Sequence, residues 1–428
     1  KEEVECVVIG AGIAGLSAAA ECGKLGLTGV IILEASERVG GRVREVAIEC
    51  NNNEVVYVDA GAEFVHGELP LDGVLPPLRE ATWPNYYFLG KEALLSKEPP
   101  AELAVAESAF EDIAASEDVS DGETLLQYFA RKGVASRVLD LADAVYANDY
   151  GAGASEIGLA EVQFEQRRWR HGEAYLLLER GSLSDALAAL AQSLDVRTGA
   201  RVVSVVSSEE EDGRRRVCCR CEDGRVFRAK AAVVAVSHAA RRDLFRTQED
   251  DVPVANGFKA FCVFSRAFWP PDFWNVVCSD SLFPEIWLSR SAQPHGSLFV
   301  LVGFAMGRRA DALARRSEAT VRRLFLQQLD AIFGDDAHPH PATSACVAFA
   351  AVDWASDAFA RGAYTYPSPG CLPARERVGK PQDAVFFAGE AVNADLNPCL
   401  QGAMLSGINA ARDVATLLSS SSSSRLSS

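Results

Sequence analysis

Basic residues are in short supply in this 428-residue chain: Lys and Arg number 42 against 59 Asp and Glu, a formal net charge of −17. Phosphate backbones need a basic face, so nucleic acid is disfavoured as the main ligand; the charge would steer small cations, and equally it is the ordinary surface of a soluble acidic protein. Long apolar runs are missing as well. No stretch has the length and apolarity of a membrane span, and no signal peptide is visible, so an intracellular and most simply cytoplasmic setting is expected, with peroxisome and nucleus left open. Metal-ligand spacing is also lacking. The one cysteine cluster, Cys218-Cys219-Arg220-Cys221, runs into Glu222-Asp223-Gly224 in a β-hairpin pattern, and no second ligand pair follows it. His338-Pro339-His340-Pro341 reads as a stiff loop. Several of the 11 cysteines, Cys6, Cys262 and Cys346 among them, fall inside apolar strand patterns, as small buried hydrophobes do in a reducing compartment.

What the chain does contain is a complete dinucleotide-binding unit in its first 42 residues. An apolar run over residues 4–9 leads into Gly10-Ala11-Gly12-Ile13-Ala14-Gly15, then an alanine-rich helical stretch, then a second apolar run over 30–33 that ends on Glu34. Gly10 permits the tight turn, Gly12 lets backbone approach a pyrophosphate, and Gly15 lets helix and strand pack closely. Glu34 stands where a carboxylate accepts the hydroxyls of an adenosine ribose, and an acid there disfavours a 2′-phosphate. Arg38-Val39-Gly40-Gly41-Arg42 follows, a loop whose arginines and bare backbone suit pyrophosphate.

The chain is long enough for two domains. Residues 75–180 change to amphipathic helical patterning, for example at 125–129 and 138–146. Strand signals return near residue 181. A helix is expected over 183–194, a strand at 258–268, another at 298–304, one helix over 310–333, and a last helix from about 401. The serine run 419–424 marks a disordered tail. The expected architecture is α/β: a mostly parallel, Rossmann-like nucleotide domain assembled from 1–75, 181–256 and 350–418, a mixed α+β substrate-binding domain from 76–180 and 257–349, and a tail over 419–428.

Taken in order along the chain, these residues resemble the flavin-dependent amine oxidases: polyamine oxidases, monoamine oxidases and the catalytic domain of lysine-specific histone demethylases. The likeness is carried by Gly10 to Arg42, Gly61-Ala62-Glu63-Phe64-Val65-His66-Gly67, Gly257-Phe258-Lys259, Phe268-Trp269-Pro270, Trp354 with Asp357, Arg361-Gly362-Ala363-Tyr364, Gly389-Glu390 and Gln401-Gly402-Ala403. The resemblance implies FAD, with Glu34 on its ribose, Arg42 near the pyrophosphate, Val202 against the adenine and Glu390 on the ribityl side. Gly61 and Ala62 would lie along the isoalloxazine, Trp354 beside it, and Gly389, Cys399 and Leu400 close to it. A final helix aimed at the flavin pyrimidine would stabilise the negative charge that arrives there on reduction.

The family reaction oxidises a C–H bond next to an amine nitrogen, giving an imine that water hydrolyses to a carbonyl, with dioxygen reduced to hydrogen peroxide. The resemblance makes Lys259 the catalytic lysine, holding a water against flavin N5, and Tyr364 an aromatic wall of the substrate site. Cys399 takes the place of a second aromatic, leaving the cage half open. Ala363 stands where monoamine oxidases attach flavin through cysteine, so FAD is expected to be noncovalent. His66, Glu63 and Glu173 are candidates for cation recognition, His66 equally readable as a loop histidine bonded to backbone. A polyamine is the expected substrate. A demethylase-like or peptide-binding flavoprotein is the alternative, as is an amino-acid oxidase or desaturase, which would need an arginine clamp such as Arg168 or Arg290. Where the family has proline, this chain has Ser237.

Overall fold

In the computed structural model the described residues are 2–50, 54–66, 78–81, 83–169, 175–179, 181–209, 215–245, 252–289, 298–393 and 399–423. Two seven-stranded sheets organise them. In the first, Val196–Arg197, Val30–Leu33, Glu2–Ile9 and Val226–Val234 lie side by side in parallel. The strand Val226–Val234 then splits its free edge. Its first half pairs antiparallel with Arg215–Cys221, and Ala232 to Val234 pair in parallel with Val385–Phe387. The cysteine cluster lies on that hairpin, with Cys219 and Cys221 turned into the core.

The first helix, Ile13–Lys24, and the last, Leu400–Ser423, pack across this sheet. Their backbones meet closely: a Cβ at Gly407 would stand 2.1 Å from the Ala14 carbonyl oxygen. The serine run expected as a tail continues the helix as far as Ser423, because a helix already nucleated adds residues at low cost. The hydroxyls of Ser419 and Ser420 donate back to carbonyls one turn earlier.

The second sheet runs Cys346–Asp353, Gly257–Phe264, Phe299–Met306, Glu285–Leu288, Asn275–Ser279, Tyr86–Leu89 and Leu94–Ser96. Cys346–Asp353 pairs with Gly257–Phe264 along its length, so the boundary expected at residue 350 falls inside a strand of this sheet. All eight residues of Gly257–Phe264 are buried, since both faces are covered. Phe258, Ala260, Cys262 and Phe264 face Val321, Phe325 and Leu329 of the helix Glu318–Phe333. Phe261 and Val263 face the opposite way, toward Val56, Val58 and Ala60. Strand alternation therefore sends Lys259 to this second face. The helix expected over 310–333 is two helices, Gly307–Ala314 and Glu318–Phe333; the break falls where Ser317 turns extended and its hydroxyl accepts from the Thr320 N–H. The helix at 183 stops at Ala191. A helical cluster from Leu103 to Gln166 closes the remaining side.

Candidate active site

One cavity of about 1220 Å³ runs between the two sheets and the helical cluster. Its first end is built largely of backbone. Gly10 holds φ at +102°, a conformation that L side chains resist, and a Cβ there would stand 2.7 Å from the Ala235 carbonyl oxygen. Gly15 has no room for a Cβ either, the Gly10 oxygen being 1.9 Å from where it would sit. Gly12 is different: a Cβ would meet only the Gly40 oxygen, at 4.0 Å, so the first helix opens on bare backbone that faces the cavity.

Glu34 is buried at this end, its carboxylate accepting from the Ala11 N–H at 2.7 Å and from the N–H and hydroxyl of Ser36, each at 2.8 Å. A carboxylate has about four acceptor positions, so one remains for a ribose hydroxyl. Val202 lines the same end. Arg38 binds the Gly41 carbonyl at 2.7 Å and so shapes the loop. Arg42 donates to Glu390 Oε1 at 2.9 Å and to the Ala363 carbonyl. Burial works to raise the Glu390 carboxyl, but the Arg42 charge and hydrogen bonds from Thr365 and Arg42 outweigh it, and the group lies below the usual range. Gly389, whose N–H donates to Ser406 Oγ at 2.8 Å, leads into Glu390. A helix start without a side-chain cap, open glycine backbone and one acid fit a dinucleotide.

Midway along the cavity, Gly61 touches both halves of the molecule. A Cβ there would stand 1.6 Å from the Arg42 carbonyl oxygen and 3.2 Å from the Trp354 ring, whose indole N–H donates to the Ala60 carbonyl at 2.9 Å. Opposite, the Lys259 ammonium donates to the Gly61 carbonyl at 2.9 Å, the Asp59 carbonyl at 3.1 Å and Glu63 Oε2 at 3.3 Å. All three N–H bonds thus have protein acceptors, and a water at Nζ shares or displaces one of them. Trp287 donates to the same Glu63 oxygen at 3.0 Å and lays its ring 5.0 Å from Nζ. Glu63, expected to recognise substrate, lines the cavity, and its Oε2 is engaged by Lys259 and Trp287.

The second end is walled by aromatics and carboxylates. Tyr364 donates its hydroxyl to the Asp149 backbone carbonyl at 3.1 Å; burial, then Asp149, Glu285 and Glu390, push its phenol well above the ordinary value, so it stays neutral. Tyr175 stacks on Trp83 with centroids 5.5 Å apart and donates to the Asp149 carboxylate at 2.8 Å. His66 sets its ring edge against Tyr175 at 4.9 Å, and burial lowers its imidazole pKa. Cys399 stands just before the last helix, its sulfur accepting from the Gly402 N–H at 3.3 Å; burial pushes the thiol up to about 11. Leu400 and Ala403 follow it into the lining.

Asp149, Glu165, Glu285 and Trp287 were not legible in advance. Glu285 is buried at 2% exposure, bonded by the Asn148 amide, and burial followed by the nearby Asp149 charge holds it well above the usual carboxylate range. Each lies outside any short motif, and only the spacing of Glu285 and Trp287 on one strand face hinted at a shared direction. Glu173 and Arg290 lie outside the described residues. Arg168 rests its guanidinium on the Phe164 ring, 3.5 Å from the centroid. Among the described residues, the arginines that line the cavity are Arg38, Arg42, Arg201 and Arg361, at its nucleotide end, where Arg201 pairs with Glu222 and Arg361 with Asp243. Ser237, in place of proline, caps the helix His238–Leu244 by accepting from the Ala240 N–H. Among the described residues no group of three or more His, Cys, Asp or Glu gathers as a metal site would, and no helix is long and apolar enough to cross a membrane.

A dinucleotide cradle that opens into an aromatic and acidic chamber, with a lysine at the join, defines a flavin-dependent amine oxidoreductase. The chain belongs to the flavin-containing amine oxidoreductase family, whose sequence profile matches residues 13–415. Among curated relatives it is similar to probable polyamine oxidase 4 of Arabidopsis thaliana, 26% identical across 95% of this chain and 86% of that one. It is also similar to lysine-specific histone demethylase 1 homolog 2 of Oryza sativa subsp. japonica, 27% identical over 95% of this chain and 56% of the other. Its fold is that of putrescine oxidase bound to putrescine, with a TM-score of 0.80 at 17% identity, covering 97% and 99% of the two chains.

Proposed function

We propose that this protein binds FAD noncovalently and oxidises a di- or polyamine at a C–H bond beside nitrogen, releasing an imine that hydrolyses to an aldehyde, with dioxygen reduced to hydrogen peroxide. The observation that carries this reading is the charge segregation of a single cavity. Among the described residues its arginines lie at the nucleotide end, while Glu107, Glu111, Asp149, Glu165 and Glu285 line the other. An amino-acid substrate would ask for a cation there, and the described lining at that end supplies carboxylates.

The flavin, when bound, would supply the acceptor for the hydride of that C–H bond, one hydrogen carrying two electrons. Gly10, Gly12 and Glu34 would hold its adenosine side, and Gly61, Ala62 and Trp354 would border its ring. Ala363 offers no nucleophile for a covalent link. The ammonium form of an amine has no lone pair to drive hydride departure, so the chamber must favour the neutral form. Tyr364, Tyr175 and Trp83 exclude water, which works against the charged form. Burial and the Asp149 charge push the Glu285 carboxyl upward, which works against a second negative charge beside Asp149. Lys259 Nζ, at the join, would orient water against the reacting face and assist dioxygen reduction.

The test is a spectrum followed by a panel. Purified protein should show flavin absorbance that acid releases into the supernatant, and under anaerobic conditions putrescine, spermidine or spermine should bleach it. Oxygen should restore the colour with peroxide formed. Bleaching by a methyl-lysine peptide or an L-amino acid, and by no polyamine, would overturn the substrate assignment; colour that stays with the precipitated protein would overturn noncovalent binding.

A further inference from the structure

The helix Leu159–Gln166 presents Glu165 and Gln166 to the cavity, and neither carries a matched set of partners. Glu165 Oε2 is buried with no donor among the described residues, and so is Gln166 Oε1, whose amide nitrogen is held by the Phe110 carbonyl at 3.2 Å. Burying acceptors without donors is costly, and a carboxylate costs far more than an amide. The cation acting on Glu165 is Arg375, which makes no ion pair with it and donates instead to the Asn393 carbonyl at 3.2 Å. Other neighbours that feel its charge are Tyr150 and Cys399, both lining the same cavity. Burial accordingly lifts the Glu165 carboxyl to about 8.

We infer that Glu165, helped by the Gln166 carbonyl, receives a second ammonium group of the substrate, so that the enzyme selects diamines over monoamines of similar length. This inference rests on the amine-oxidising reading above. An ammonium brings charge and three donors together, which is what two unpartnered buried acceptors lack. The route from Glu165 toward the Tyr364 end passes Tyr150 and Cys399, an aromatic and a compact neutral thiol, surfaces suited to the methylenes between two nitrogens. A monoamine leaves Glu165 as it is and gains nothing from it.

Glu165→Gln keeps the shape and removes the charge. In the flavin-loaded enzyme, KM for 1,4-diaminobutane should rise about tenfold or more, the scale of a lost charge-assisted contact, with kcat changed less than about threefold. For butylamine, kcat/KM should stay within about twofold. Parallel losses for the two amines, or an unchanged diamine KM, would overturn the assignment. Binding gives a second measurement that needs no turnover: 1,4-diaminobutane should raise the melting temperature of the wild-type protein more than that of Glu165→Gln, and equal shifts would overturn it. Should neither amine reduce the flavin of the wild-type protein while the melting shifts still differ, the amine-oxidising reading falls and the cation site at Glu165 stands.

Discussion

The two ends of the cavity are built on opposite principles. At the nucleotide end, recognition is a matter of backbone: Gly10 in a left-handed conformation, Gly12 open to the cavity, Gly15 with no room for a side chain, and an acid whose oxygens are already oriented by Ala11 and Ser36. At the chamber end, recognition belongs to side chains, several of them buried carboxyls such as Glu165 and Glu285 raised above their usual range. The first end is close to satisfied by the protein itself. The second keeps two buried acceptors, Glu165 Oε2 and Gln166 Oε1, without a donor among the described residues. Backbone strain thus belongs to the first end, at Gly10, and raised buried carboxyls to the second, a combination of perturbed groups in a cleft that functional sites tend to show.

The largest expected effect comes from breaking the join between the ends. Gly61→Ala drives a methyl into the Arg42 carbonyl, and backbone there has little room to give. We expect a loss of about 3 kcal/mol or more in stability together with most of the bound flavin, read by thermal melting and by absorbance of the purified variant. Full flavin content at an unchanged melting temperature would show the loop to be far more pliable than its contacts indicate.

Next in size is Lys259→Met. Flavin should remain bound, while its reduction or reoxidation slows at least about tenfold, measured in separate half-reactions by stopped flow. The variant also leaves the buried Glu63 without its cation, so stability should fall. Adding Glu63→Gln should restore melting temperature and leave the rate low. Recovery of the rate in the double variant would make Lys259 a mere counter-ion.

The smallest effect sharpens the contrast in charge. The Glu165 carboxyl titrates near 8 in the folded chain against an ordinary value of 4.5, so the native state holds a proton that the unfolded state gives up. Stability is therefore lost as pH rises from about 4.5 toward about 8. Glu165→Gln should match the wild-type protein near pH 5 and melt about 1 °C or more above it near pH 8, without added amine. A gap that is the same at both pH values would mean that Glu165 is solvated in the free protein.

Some of this was readable from the chain and some was not, for reasons visible in particular residues. Gly10, Gly12, Gly15 and Glu34 lie within one strand, turn and helix, so spacing alone locates them. Lys259 and Tyr364 were reached through family likeness, and the structure brings both to the same cavity. The expected helix over 310–333 missed a hydroxyl cap at Ser317, a local competition that apolar periodicity does not report. That Glu63 accepts from Lys259 and Trp287 could not be read from the chain, because these partners are some two hundred positions away.

By itself, the order of amino acids located the dinucleotide cradle, because turn geometry is a property of neighbouring residues, and its motifs taken in order carried the likeness to the flavin-containing amine oxidoreductases. Only the tertiary structure decided which carboxylates meet the chamber. Asp149, Glu165 and Glu285 come from a short 3-10 turn, a helix and a strand of different parts of the chain. Their nearness, and the burial that raises Glu165 and Glu285, arise when those elements close around one space, since the cost of hiding a charge depends on what surrounds it in three dimensions.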